Sequence, residues 1–363
     1  MRTMLIASGD LWAGAEVMVS HLCCCLARMP EVKLLVVLLN RGRLANELES
    51  LGVEVRVIDE QMLSFSALIL NVRSIINVFL PDIIHSHRYK ENFLAWSASL
   101  GKGTIKLVAT QHGMPEQAGR GETILNRLRN VVFFRLLSCC FDRTVLVSGE
   151  MRRNMVHSYG FTEDNVTVIH NGISIPERVG SRNGERLIVG SAGRFFPVKD
   201  FSLLVDIARL VITCNDSVDF VIAGDGPLFN ELKEKITRFE LQDRFHLRGH
   251  QEDMAAFYQG LDVYINTSVH EGLPMSVLEA LAYRLPVIAP KVGGFPEVIE
   301  EGKNGFLVHG RDPQMFADRI FELLNPDVRE SMSVAARERA LQCFSREAMA
   351  RQYHLLYEEL CGD

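Results

Sequence analysis

The sequence predicts an α/β protein made of two doubly wound parallel sheets, and three features carry that prediction. Short apolar runs alternate with longer amphipathic stretches, the rhythm of successive βαβ units. The rhythm occurs twice, with a polar stretch between. At 363 residues the chain also exceeds the length at which one hydrophobic core stops growing and a second forms.

In the first half the runs at 4–7, 34–39, 53–58, 83–85, 107–110, 144–147 and 166–169 read as buried strands. In the second half 187–191, 220–223, 245–247, 263–266, 287–289 and 306–308 repeat the pattern. Residues 176–186 are rich in Gly, Ser, Asn and charge, which reads as a linker and sets domains at 1–175 and 176–345. The helical patterns at 313–324, 328–342 and 346–360 have no strand to return to, and the last, within 346–363, is expected to pack back on the first domain.

A formal net charge of −6 argues against a general nucleic-acid binder, which needs a surplus of Lys and Arg on one face. The apolar run at 4–7 is too short for a signal-peptide core or a membrane span, and no later run is long enough. The eight cysteines show neither a CxxC pair nor zinc-ligand spacing, so bystander thiols in a reducing cytoplasm are expected.

In open parallel sheets ligands bind at the carboxyl ends of the strands, so the loops that follow strands are where the chemistry is sought. Ser8-Gly9-Asp10 through Gly14 opens a helix whose free N–H groups suit an anion, although its spacing is not that of a dinucleotide site and a tight turn explains it too. Gly193-Arg194-Phe195-Phe196-Pro197-Val198-Lys199 places a planar cation and a point cation after a strand, a pairing that suits a diphosphate. The turn Gly224-Asp225-Gly226-Pro227 leaves room for a ligand, or is simply turn chemistry.

The sharpest signal is the stretch from Glu271 through Gly272, Leu273 and Pro274 to Glu279, with two carboxylates across a loop-to-helix junction. One acid can meet a sugar and the other a ribose. His85-Ser86-His87 and His112-Gly113 also follow strands; with no carboxylate in ligand spacing, His85 and His87 fit a structural or substrate-contacting role better than a metal site. No DxD motif occurs, so fixed cations and helix N-termini would have to stabilise a departing diphosphate.

Taken in order, these motifs resemble glycosyltransferase family four, the retaining GT-B enzymes. The likeness runs from Gly14-Ala15-Glu16 through His112-Gly113, Ser148, His170-Asn171-Gly172-Ile173, Gly193-Arg194 with Lys199, and Gly224-Asp225-Gly226-Pro227. It continues through Glu271 and Glu279 to Gly293-Gly294-Phe295-Pro296-Glu297 and Asn304-Gly305-Phe306. It implies a GT-B fold of two facing Rossmann-like domains and retaining transfer from a nucleotide-diphosphate sugar, UDP-linked by default, to a glycan or lipid-linked hydroxyl, without a metal or other cofactor.

By the same resemblance Arg194 and Lys199 bind the diphosphate, Glu279 the ribose, and Glu271 with the Gly272 and Leu273 amides the donor sugar. Gly14 contacts phosphate, His112 lies near the reaction centre, Gly224 borders the donor, and the stretch around Arg248 faces the base. One departure stands out: the family's double glycine is here Ala13-Gly14. A sugar-nucleotide epimerase or phosphorylase of the same fold, or a non-catalytic nucleotide-sugar-binding subunit, are the alternatives.

Residues 124–141 read as an amphipathic helix whose core stripe is Leu125, Leu128, Val132, Leu136 and Cys139, with Val131, Phe134 and Phe141 elsewhere. Arg127, Arg129 and Arg135 beside exposed aromatics would suit peripheral contact with an anionic membrane, where lipid-linked acceptors are found. A helix buried on both sides is the competing reading.

Overall fold

The computed structural model describes residues 1–10, 12–113, 124–180, 182 and 184–362, and of 124–129 the backbone alone. The chain divides into two compact units, Met1–Ile173 with Arg346–Asp363, and Ser174–Ser345.

The first unit runs β1 (Arg2–Ala7), α1 (Gly14–Leu26), β2 (Lys33–Leu38), α2 (Arg43–Ser50), β3 (Glu54–Val57), α3 (Phe65–Phe79) and β4 (Ile83–His87). It continues with α4 (Tyr89–Ser99), β5 (Lys106–Gln111), α5 (Ile124–Cys140), β6 (Arg143–Leu146), α6 (Gly149–Tyr159) and β7 (Val166–Val168). The sheet order is β3-β2-β1-β4-β5-β6-β7, with every pair parallel. Helices cover a parallel sheet on both faces, so its inner strands must be apolar throughout; in β1 every residue after Arg2 is buried. Local signals set the ends: Ser148 caps α6 by accepting from the Met151 amide, and Gly160 stops it in the left-handed region.

The second unit runs β8 (Leu187–Ala192), α7 (Phe201–Cys214), β9 (Val218–Ala223), α8 (Phe229–Arg238), β10 (Phe245–Leu247), α9 (Met254–Gln259) and β11 (Val263–Ile265). It closes with α10 (Met275–Ala282), β12 (Val287–Pro290), α11 (Phe295–Val298), β13 (Gly305–Val308), α12 (Pro313–Glu322) and α13 (Pro326–Cys343). Its order is β10-β9-β8-β11-β12-β13, again all parallel. Stacked Phe220 and Phe245 and the buried side chains of α7 and α12 fill the core.

The last helix, α14 (Arg346–Cys361), belongs to the first unit. Met349, Tyr353, Leu356 and Tyr357 share a core with Leu22, Cys25 and Leu26 of α1. The Arg346 amide donates to the Ile173 carbonyl at 2.9 Å, so chain reversal is tied down where the helix begins.

Two expectations are corrected. The polar stretch 176–186 is held against the second unit in its described part, because its charges meet carboxylates at strand starts. Arg182 Nε donates to Asp262 at 3.1 Å, Arg186 Nε to Asp219 at 2.7 Å, and the Pro176 carbonyl accepts from Arg337.

On α5 the core face is Phe133, Phe134 and Leu137, with Phe141 buried just beyond its end, whereas Val131, Val132 and Cys139 are exposed and Leu136 is half-buried. Large rings displace the smaller stripe from the interior: Phe133 packs on Tyr89 at 4.3 Å and Phe134 on Tyr159 at 4.2 Å. The side chains of Leu125, Arg127, Leu128 and Arg129 lie outside the described residues. Phe134→Ala should therefore cost about 3–5 kcal/mol of stability in urea unfolding, and Val132→Ser no more than about 0.5 kcal/mol. The reverse ranking would restore the stripe read from sequence.

Candidate active site

In each sheet one pair of neighbouring strands sends its chain off in opposite directions, and the loops diverge there to leave a crevice. In the second unit that pair is β8 and β11. The loop after β8 carries Arg194 and Lys199; the loop after β11 carries Glu271. They meet as an ion pair between Lys199 Nζ and Glu271 Oε1, with Ser268 Oγ donating to the same oxygen at 2.8 Å. Both side chains keep partial exposure, 21% and 16%. Arg194 is exposed, its guanidinium 5.0 Å from the Phe196 ring, and among the described residues no carboxylate pairs with it.

Backbone contacts fix these loops. Val269 N donates to Val198 O at 2.8 Å and Thr267 Oγ1 to Lys199 O at 3.0 Å. Arg311, a residue that the motifs do not flag, donates to the Thr267 carbonyl at 2.6 Å and to the Asp200 carboxylate. Gly224 is glycine for packing: a Cβ there would lie 1.9 Å from the Gly193 carbonyl oxygen, so the turn leaves no open space at that position. The Glu271-Gly272 backbone sits as tightly on Gly293 and Gly294, where added Cβ atoms would lie 2.0 and 2.1 Å from the carbonyls of Glu271 and Gly272.

Gly272 and Leu273 are buried just ahead of α10, and Pro274 occupies its cap position rather than its first turn. Glu279, on α10, accepts a 2.7 Å hydrogen bond from the hydroxyl of fully buried Tyr258. Burial raises the Glu279 pKa and the tyrosine bond opposes that rise. Arg248 is exposed directly after β10, its amide bonded to Ile222 O at 2.9 Å.

The first unit repeats the arrangement at β1 and β4. Glu16, 3% exposed, accepts from the Ala13 amide at 3.3 Å and pairs with Arg88, which also lies 3.7 Å from Asp10. Gly14 is exposed as the first residue of α1, and Ala13 is extended at φ −135°, a conformation that needs no glycine. Arg88 itself sits at φ 75°, ψ 171°, a region almost confined to glycine; such strain persists only where surroundings hold it and gathers at functional sites. No sequence motif marks Arg88.

Behind it lies a histidine cluster in which His85 and His87 are buried and His112 is half-buried. His85 bonds Tyr357 through Nδ1 at 2.6 Å and Thr110 through Nε2 at 2.8 Å, so neither nitrogen is free for a metal. Thr110 also meets Tyr353 at 2.9 Å. His87 packs against His85 with ring centroids 4.2 Å apart and bonds His112 at 3.2 Å. Burial pushes His85 down to about 3, His112 to about 4 and His87 well below the ordinary imidazole range, with the charge of Arg88 adding to the last two. A separate hollow along edge strand β7 holds no comparable chemistry, because its arginines are already paired, Arg143 with Glu359 at 2.7 Å and Arg152 with Glu163.

Two Rossmann-like α/β units, with a paired cation and carboxylate at the switch point of the second, define a glycosyltransferase of the GT-B architecture. Residues 12–176 match the family model Glycosyltransferase Family 4 and residues 176–339 the model Glycosyl transferases group 1. The chain belongs to glycosyltransferase family 4.

Among its relatives is the Escherichia coli UDP-Gal:alpha-D-GlcNAc-diphosphoundecaprenol alpha-1,3-galactosyltransferase, 25% identical over 77% of each chain. Another is the Bacillus anthracis N-acetyl-alpha-D-glucosaminyl L-malate synthase, 27% identical over 78% of this chain and 76% of its own. Among solved structures, Anabaena HepE in complex with UDP and glucose superposes with a TM-score of 0.84 at 22% identity, covering 98% of this chain and 99% of that one. Sucrose-phosphate synthase from Thermosynechococcus elongatus gives 0.81 at 19% identity, covering 99% of each.

The histidine cluster predicts acid sensitivity. Folded pKa values below the ordinary value of about 6.5 mean that the unfolded chain binds more protons as pH falls. Stability is then lost from about pH 6.5 down to about 4, at up to about 1.4 kcal/mol per pH unit for each ring. Urea unfolding at pH 7 and pH 5 should show this loss, with a shallower slope in His85→Gln; an equal slope would mean that His85 is charged in the folded protein.

Proposed function

We propose that this glycosyltransferase moves a sugar, with retention of anomeric configuration and without a metal ion, from a UDP-sugar to a hydroxyl of a glycan or lipid-linked acceptor in cell-surface polysaccharide or glycolipid synthesis. The observation that carries the reading is the Lys199–Glu271 pair at the switch point, with the exposed Arg194 on the same loop as the lysine. When the anomeric carbon–phosphate bond breaks, negative charge grows on the departing diphosphate. Fixed cations are worth most against charge that develops in the transition state.

Lys199 and Arg194 take the diphosphate, Glu271 with the Gly272 and Leu273 amides takes the donor sugar, and Glu279 takes the ribose, in the vicinity of Gly224 and Arg248. In the first unit the family likeness assigns Gly14 to phosphate and His112 to the donor sugar. The UDP-sugar in the name of the Escherichia coli relative and the UDP held by HepE support the choice of donor. The diphosphoundecaprenol acceptor in that relative's name supports a lipid-linked acceptor.

No described helix is long and apolar enough to cross a membrane. Exposed Val131 and Val132 on α5, with exposed Arg135, support contact through 124–141. Salt-sensitive co-sedimentation with phosphatidylglycerol vesicles should weaken in Arg135→Ser; equal binding by both proteins would remove this part of the reading.

Incubation with UDP-sugars and acceptor, followed by NMR of the product anomer, tests the main reaction. Lys199→Ala and Arg194→Ala should each lower kcat by about 100-fold or more. Turnover near normal in either folded variant would overturn the diphosphate assignment. Turnover should survive EDTA; loss with EDTA and recovery with magnesium would overturn metal independence.

A further inference from the structure

We propose that His87 is a positioning residue that holds His112 in the tautomer with its proton on Nδ1, so that His112 meets the substrate as a hydrogen-bond donor. The proposal rests on the assignment of His112 to the donor sugar made above, and it follows from where the protons of two joined imidazoles can go. His87 Nδ1 and His112 Nε2 lie 3.2 Å apart with the rings nearly parallel, 28° between planes. A neutral imidazole has one N–H and one lone pair, so one ring donates and the other accepts.

The other nitrogen of His87 decides which. Nε2 is buried and has no partner among the described residues. A proton there would be an orphaned buried donor, the costlier kind of unsatisfied group. The proton of His87 therefore sits on Nδ1 and is donated to His112 Nε2. His112, neutral as well, must then carry its own proton on Nδ1, the nitrogen for which no bond within the protein is recorded among the described residues. In water the opposite tautomer, protonated on Nε2, is the favoured one, so the protein imposes this choice.

His87 is held for the task from behind. His85 lies against its ring at 4.2 Å, and His85 is fixed at both nitrogens, by Tyr357 of α14 and by Thr110 of β5. Thr110 is in turn bound by Tyr353 of the same helix. The C-terminal helix thus braces, through two tyrosines, a ring that is only 2% exposed.

Nitrogen-15 NMR of the imidazoles in the whole protein tests this without an activity assay, with His112 assigned by comparison with His112→Gln. The expected result is His112 neutral and protonated on Nδ1 from pH 6 to 8. Protonation on Nε2 in the wild type would overturn the proposal.

His87→Leu removes the donor, so His112 should shift toward the Nε2 tautomer and kcat should fall about tenfold, the worth of one hydrogen bond of about 1.4 kcal/mol. His87→Asn, whose amide nitrogen can take the place of Nδ1, should restore both. An Asn variant as impaired as Leu, or an unshifted tautomer in folded His87→Leu, would also overturn it. Should His112→Ala transfer sugar normally while the tautomer is as expected, the positioning stands and the assigned role of His112 falls.

Discussion

Adjacent parallel strands whose chains leave toward opposite faces of the sheet cannot have their loops packed over one another, and the opening that results is the constraint on which the rest of this structure depends. It falls between β8 and β11 in the second unit and between β1 and β4 in the first. At each opening a cation that follows one strand pairs with a carboxylate that follows the other: Lys199 with Glu271 of the loop after β11, and Arg88 with Glu16 in the first turn of α1. The topology explains why residues 72 positions apart along the chain become one charged unit.

The two pairs are not equivalent. Glu16 is almost fully buried and also closes the first turn of α1, so removal of Arg88 would strand a charge in the interior. Glu271 and Lys199 keep partial exposure, Ser268 donates to the same Glu271 oxygen, the Glu271 loop is locked by backbone contact at Gly293 and Gly294, and the Lys199 loop is held by bonds from Val269 and Thr267. A lysine held this way is fixed in position by its partner and, at 21% exposure, still reaches solvent. That is what pre-organised stabilisation of a leaving group requires. Arg311 adds to the rigidity by joining Asp200 at the start of α7 to the carbonyls of the Glu271 loop.

Burial does the complementary work in the first unit. Of the three histidines at the ends of β4 and β5, His85 and His87 are buried and His112 is half-buried, and among the described residues their side chains bond to one another and to hydroxyls. The cluster is therefore neutral, which suits hydrogen bonding and lets the rings lie close without repulsion. Its bracing comes from α14, the last helix of the chain, which covers α1 and reaches Thr110 and His85 with tyrosine hydroxyls.

All thirteen described strands were legible in the sequence to within a few residues, the inner ones because a strand covered on both faces must be largely apolar. The loops carrying Arg194, Lys199, Glu271 and His112 were legible because turn and ligand chemistry are local. What was not legible depends on three-dimensional neighbours. The stretch 176–186 looked like a tether until Asp219 and Asp262 appeared opposite its arginines. The inward face of α5 was misjudged because periodicity cannot say that Tyr89, Tyr159 and Phe161 wait to receive Phe133 and Phe134. Nor could the sequence show that Gly224 lies against the Gly193 carbonyl, with no space for a Cβ. Sequence by itself determined element type and the residue types at strand ends, since both follow from local periodicity and chemistry; tertiary structure alone decided which charges pair and which histidine braces which, since those contacts join residues far apart along the chain.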